Sequence, residues 1–164
     1  MKHYIFLIDT SHSMHSKLIK IINGLNEFIN TSSTLHSYFS LASFNRKLEW
    51  IVKLIEISYV NKIHIRDFKF SGSTCLYDSI CDVILYFGIN SVYDTYFYII
   101  TDGDDNHSNK YTDLDANYLC KTAMNIGNWK IKHLDTIEYS TLDIPRIQYD
   151  INSITCMIQN LQVV

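Results

Sequence analysis

The sequence has one proline and five glycines among 164 residues, which excludes a collagen-like, linker-rich or low-complexity chain. Its four cysteines, at 75, 81, 120 and 156, form no C-x-x-C pair, so neither a thiolate zinc site nor a dithiol redox motif is written in it. Cys75 and Cys81 fall on what the pattern predicts as one helix, six positions apart, and read as packing thiols in a reducing compartment. No stretch approaches the roughly 18 continuous apolar residues that a membrane span needs. The apolar run near the amino terminus, residues 4–8, stops at Asp9 before a signal-peptide core could form. These absences predict an intracellular, cytoplasmic protein with no membrane partner.

Charge is also scarce. Charged residues make up 19% of the chain and the formal net charge is −3, with Lys and Arg in scattered pairs such as Arg46-Lys47. Nucleic-acid binding without sequence preference needs a concentrated basic patch to displace counterions, so no nucleic-acid partner is expected. What the sequence does have is apolar content, 47% of its residues, enough to offset the entropy of ordering a chain of this length. One core of ordinary size accounts for the length, and the expectation is a single domain over residues 1–164.

Residues 4–8 and 96–100 are short continuous apolar runs, the pattern of strands buried on both faces of a parallel sheet. Met14, Leu18, Ile21, Ile22, Leu25 and Ile29 recur along one face of an amphipathic helix, and Leu76, Ile80, Val83, Ile84 and Phe87 mark a second that stops at Gly88. Residues 38–44 and 48–53 read as two strands joined by Asn45-Arg46-Lys47, a hairpin connection. A weaker helical pattern through Leu114, Tyr118, Leu119 and Met124 ends at Gly127, and strands follow at 129–134 and 144–149 with a closing helix over 152–161. Residues 55–66 give no clear helix. Alternation of strands and helices predicts an α/β class: a Rossmann-like, three-layer α/β/α domain with a mostly parallel sheet and one antiparallel edge hairpin strand.

Both continuous runs lead into an aspartate, Asp9 and Asp102, and ligands of open α/β sheets collect at the carboxyl ends of strands. Ser11 and Ser13 follow Asp9 in the same turn, and Thr74 stands before a helix after a loop containing Gly72. Carboxylate and hydroxyl oxygens are hard ligands of the kind that Mg²⁺, Mn²⁺ and Ca²⁺ prefer, and no thiolate belongs to the set. Each residue also has an ordinary structural reading. Ser11, Ser13 or Thr74 can cap a helix, and Asp102-Gly103 is a common turn pair. Their joint occurrence after the expected elements is what favours a metal.

Asp9-Thr10-Ser11-His12-Ser13 resembles the D-x-S-x-S signature of von Willebrand factor type A domains. Ser71-Gly72-Ser73-Thr74-Cys75-Leu76-Tyr77-Asp78 and Ile99-Ile100-Thr101-Asp102-Gly103 resemble the second and third motifs of that family, in the same order. The resemblance implies a metal-ion-dependent adhesion site at the top of the sheet. Ser11 and Ser13 would bind the ion directly, Thr74 would do so in the ligand-bound arrangement, and Asp9 and Asp102 would act largely through waters. The expected ion is Mg²⁺ or Mn²⁺, with Ca²⁺ as a further candidate, and the expected partner is a protein that presents an Asp or Glu to it. Ser71 departs from the pattern, since many family members have another glycine there.

Two other classes compete with this adhesion and interaction module. In a structural or assembly subunit the metal would mainly hold the loops. An apolar strand ending in Asp-x-Ser, with a later Gly-Asp-Asp-Asn, also resembles haloacid-dehalogenase-type phosphatases, but Ser11 stands where that chemistry needs an acid/base aspartate. No enzymatic activity is expected. Asp104, Asp105 and His107 read as a solvated acidic loop, and His12 and His15 as rim residues.

Overall fold

The computed structural model describes residues 1–135, 140–148 and 154–163. Strand β1 (Lys2–Asp9) lies in the middle of a six-stranded sheet, and all of it except Lys2 is buried. It pairs in parallel with β2 (Ser37–Phe44) on one side and with β4 (Asp94–Ile100) on the other. Beyond β4 the parallel order continues through β5 (Trp129–Asp135) to the short β6 (Arg146–Gln148). The antiparallel partner of β2 is β3 (Leu48–Glu56), which forms the opposite edge. The order β3-β2-β1-β4-β5-β6 is that of a mostly parallel Rossmann-like sheet with one antiparallel edge pair, as the sequence predicts.

Side chains of a strand alternate between faces, and β1 feeds two cores in this way. Tyr4, Phe6 and Ile8 join the core beneath helices α1 (His15–Ser32) and α4 (Ile154–Gln159), where the Phe6 ring stacks on Tyr98 at 5.1 Å and meets Phe28 edge-on at 5.3 Å. Ile5 and Leu7 join the opposite core, beneath α2 (Leu76–Phe87) and α3 (Asp113–Ile126). The α1 stripe is buried as its periodicity demands, from Leu18 to Ile29, and Gly24 lets α4 approach. A Cβ there would lie 3.0 Å from Ile158 Cβ.

Four expectations are revised in detail. The buried face of α3 is Ala116, Cys120 and Ala123, whereas Leu114 and Tyr118 are 75% and 70% exposed. Small residues win that face because α3 packs closely against α2 and β5, and apolar periodicity alone points to the larger side chains instead. Cys75 precedes α2 rather than belonging to it, and it is buried, as are Cys81 and Cys120, whereas Cys156 is exposed. Strand β3 runs on to Glu56, and residues 57–67 hold two single 3-10 turns, Ile57–Tyr59 and Ile65–Asp67. Among the described residues the last strand runs over Arg146–Gln148, with Pro145 just before it, and Tyr149 lies outside the described residues. The start of the closing helix, at 152, lies outside the described residues. Among the described residues no helix is long and apolar enough to cross a membrane.

His3 is a polar residue inside this packing. Its Nε2 is 2.8 Å from Ser40 Oγ, which also accepts from Leu54 N at a bulge where Leu54 has φ of +50°. Burial pushes the imidazole down to about 4, and burial acts on His133 in the same way and to the same level. The unfolded chain takes up these protons near pH 6.5 and the folded one only near pH 4, so stability present above pH 6.5 is lost as the pH falls towards 4. His3 should contribute about 2 kcal/mol of that loss between pH 7 and pH 5. Urea unfolding at the two pH values measures it. Equal stability at both would contradict the assignment, and His3→Gln should show a smaller pH difference than wild type.

Candidate metal centre

The carboxyl ends of β1 and β4 are neighbours, and the loops leaving them meet at one end of the sheet. Asp9 ends β1 and is fully buried. Its Oδ1 accepts the Ser11 backbone N–H at 2.7 Å and its Oδ2 accepts the Thr101 hydroxyl at 2.7 Å. Ser11 Oγ is 3.2 Å from Ser13 Oγ, and Ser13 Oγ donates to Asp102 Oδ1 at 2.8 Å. Asp9, Ser11, Ser13 and Asp102 are therefore one hydrogen-bonded chain across the two strand ends. Lys17, on the first turn of α1, closes it with an ion pair to Asp102 Oδ2.

Thr74 arrives from the other side of the chain. The loop before α2 is laid along the first loop by a parallel bridge between Ser11 and Ser71, with Ser71 N donating to Thr10 O at 3.2 Å. Asn45, in the β2–β3 turn, pins the junction. Its Nδ2 donates to Thr10 Oγ1 at 3.1 Å and Lys69 O at 2.9 Å, and its carbonyl accepts from Cys75 N at 2.7 Å. Asn106 holds Thr74 directly, accepting its N–H at 2.9 Å and donating its own N–H to the Thr74 carbonyl at 3.0 Å. The Thr74 residue is buried, and among the described residues no hydrogen bond joins its hydroxyl to the other four.

None of the three hydroxyls serves as a helix cap. Ser11 precedes the 3-10 turn His12–Met14 without a side-chain capping bond, and neither α1 nor α2 has a side-chain cap at its start. The structural alternative for Ser11, Ser13 and Thr74 is thus not what the fold uses. Burial pushes the Asp9 carboxyl above its usual range. Hydrogen bonds from Thr101 and Ser11 offset part of that push, and the nearby Asp102 charge adds to it.

The donor set fits a hard divalent ion. It comprises two carboxylates and three hydroxyls, all oxygen, and the site already attracts positive charge in the form of the Lys17 ammonium. Among the described residues no three His, Cys, Asp or Glu side chains gather as they would in a carboxylate- or imidazole-rich site.

The surrounding acidic residues are structural anchors. Asp78 accepts three successive backbone N–H groups, from Asn109, Lys110 and Tyr111, at 2.9 to 3.1 Å. Asp105 accepts from Ser108 N at 3.1 Å and from Tyr77 N at 3.3 Å, so it belongs to the loop rather than to a solvated rim. Asp104 is exposed, as the loop's composition predicts. His12 lies over Gly72, where a Cβ would be 3.3 Å from its Cδ2, and the His15 ring is 4.7 Å from Phe70. Both histidines pack on the second loop. Sequence reasoning missed Lys17, Thr101, Asn45 and Asn106. Only Lys17 had a usable signal, a cation one helical turn past Ser13.

No family model and no curated protein matches the sequence. Solved structures do match. Von Willebrand factor type A from Catenulispora acidiphila is 14% identical with a TM-score of 0.72, over 98% of this chain and 41% of its own. The ArnB paralog VWA2 from Sulfolobus acidocaldarius is 15% identical with a TM-score of 0.71, over 96% of this chain and 44% of its own. Proximal thread matrix protein 1 from the mussel byssus, in a form with a zinc-occupied MIDAS motif, is 11% identical with a TM-score of 0.68, over 98% and 44%. The chain spans less than half the length of these structures. Its fold is that of von Willebrand factor type A domains.

Proposed function

We propose that this chain is a divalent-cation-dependent protein-binding module. Asp9, Ser11, Ser13, Thr74 and Asp102 hold Mg²⁺ or Mn²⁺, and the bound ion supplies a coordination place for an Asp or Glu side chain of a partner protein. The observation that carries this reading is the gathering of hydroxyls that cap no helix with two buried carboxylates at the ends of adjacent parallel strands. The neighbouring structures support it at the level of the fold, and the mussel protein with its zinc-occupied motif is a precedent for a metal in such a site.

Each residue has a part in this reading. Ser13 is exposed and marks the mouth of the site, whereas Asp9 and Thr74 are buried. Thr101 and the Ser11 N–H hold the Asp9 carboxylate in place. With Asp9 buried beneath the site, Asp102 beside it and Asp104 exposed on the same loop as Asp102, an acidic partner is repelled until positive charge is added, so partner binding through this surface is abolished by EDTA.

The loops are already tied to one another by protein hydrogen bonds from Asn45, Asn106 and Asp78. That weighs against a metal whose main task is to hold them, and so favours the interaction module over a structural subunit. The test is calorimetric titration of the protein with Mn²⁺. Saturable one-site binding is expected. At 100 times the Kd, Mn²⁺ should stabilise the fold by about 2.7 kcal/mol, a rise of roughly 5 to 10 °C in Tm. A folded protein that neither binds Mn²⁺ nor gains thermal stability from it would remove the metal from this reading.

A further inference from the structure

Both oxygens of the Asp102 carboxylate are held by the protein's own donors. Ser13 Oγ donates to Oδ1 at 2.8 Å, and the Lys17 ammonium pairs with Oδ2. The Asp102 side chain is only 4% exposed and that of Lys17 is 21% exposed. Leaving a desolvated carboxylate beside the fully buried Asp9 with no counter-charge would be costly, and Lys17 offsets part of that cost. Lys17 stands on the first turn of α1, and its partial exposure leaves the head a path to water.

A divalent ion held by Ser13 and Asp102 would meet this ammonium at close range. Two like charges cannot share one carboxylate within a few ångströms in a partly desolvated cleft without a large repulsion. Entry of the ion is therefore opposed by Lys17 on Asp102 and eased by its departure.

We propose that Lys17 is a tethered counter-cation of the metal-free site, which keeps Asp102 in place and sets the metal affinity because divalent ion and ammonium exchange on the same carboxylate. This rests on the metal reading of the site and adds to it a residue outside the three motifs. An ordinary structural ion pair, with no bearing on the metal, is the competing account. The two differ in the sign of one measurement.

The experiment is Mn²⁺ calorimetry on wild type, Lys17→Met, Lys17→Gln and Lys17→Arg, with thermal unfolding in EDTA alongside. Both neutral variants should bind Mn²⁺ about 10-fold more tightly than wild type, since binding no longer displaces a cation. The same variants should melt lower than wild type in EDTA and gain more from Mn²⁺. Lys17→Arg, which keeps the charge, should bind no more tightly than wild type. Wild-type affinity in both neutral variants, or weaker binding, overturns the exchange and leaves the metal site standing. Absence of Mn²⁺ binding in all four folded proteins overturns the metal reading and the exchange together. Two neutral replacements of different shape keep the result legible if one of them folds poorly.

Discussion

Asp9→Asn should lower Mn²⁺ affinity by about 10- to 100-fold, the range typical of groups that orient or complete a metal site from its outer shell. The same change should leave metal-free stability intact or raise it. The asymmetry follows from where Asp9 sits. It is fully buried, and burial makes its negative charge unfavourable, as the upward push on its carboxyl shows. An amide removes the charge and keeps the shape. Ser11 N still finds an oxygen acceptor in the position of Oδ1. Thr101, which donates to Oδ2, has another acceptor in the Gly103 carbonyl at 3.1 Å, so its hydroxyl can turn and accept from the new amide nitrogen. Asp9→Ala is the poorer variant, because it leaves the Ser11 N–H and the Thr101 hydroxyl facing a small void. Calorimetry gives the affinity and thermal unfolding in EDTA gives the stability. Unchanged Mn²⁺ affinity in the folded amide variant would separate Asp9 from the metal, and a large stability loss would show that its charge serves the fold.

The topology explains why this aspartate and Asp102 meet. Strand β1 has β2 on one side and β4 on the other, so the chain leaves β1 in one direction and returns on the opposite flank. Loops at such a reversal diverge and open a crevice at the strand ends. Both carboxylates lie there, one at the last residue of β1 and one two residues beyond β4. Thr74 is brought to the crevice by the antiparallel β2–β3 turn, through Asn45. That turn, which is remote from the motifs in sequence, positions the second motif against the first.

The sheet and its order class were legible because β1 and β4 are short unbroken apolar runs bounded by turn residues, the pattern of strands buried on both faces. The α1 stripe was legible for a similar reason, since its large aliphatic residues face a sheet. The α3 face was not, because Ala116, Cys120 and Ala123 are buried for being small, and hydrophobic periodicity is blind to smallness as a virtue. The five candidate ligands were legible through their spacing and order. Their supports were not. Asn45, Asn106 and Thr101 act through hydrogen bonds to residues 32 to 92 positions away, and a partner at that separation leaves no mark in the local pattern, even for Thr101 inside the third motif. Asp105 was misread as part of a solvated loop for the same reason, since its backbone partner Tyr77 lies 28 residues away.

The second large effect belongs to Gly127, and it concerns stability rather than the metal. Gly127 follows α3 with φ of −102° and ψ of 179°, an extended conformation open to any residue, so backbone strain does not demand a glycine. Space does. A Cβ at this position would lie 2.1 Å from the Ile89 carbonyl oxygen and 2.7 Å from that of Ala123, both backbone atoms, and 3.1 Å from Trp129 Cδ1. No rotamer change can relieve a clash with main chain. The loop after α2 must move away from the turn into β5, or the Gly127 N–H must give up its 3.0 Å bond to Ala123 O. Gly127→Ala should therefore destabilise by about 3 kcal/mol, at the upper end of overpacking effects, and lower Tm by roughly 10 °C. Gly103→Ala is the matched control. Its Cβ would meet nothing within 4 Å, and a change within about 0.5 kcal/mol is expected. At a temperature where Gly127→Ala is still folded, its Mn²⁺ affinity should equal that of wild type, because the crowded turn lies at the opposite end of β5 and α3 from the strand ends that carry the site. A melting temperature unchanged by the alanine would mean that the Ile89 loop yields freely, and the packing of α2 against α3 would then be looser than the contacts of Gly127 require.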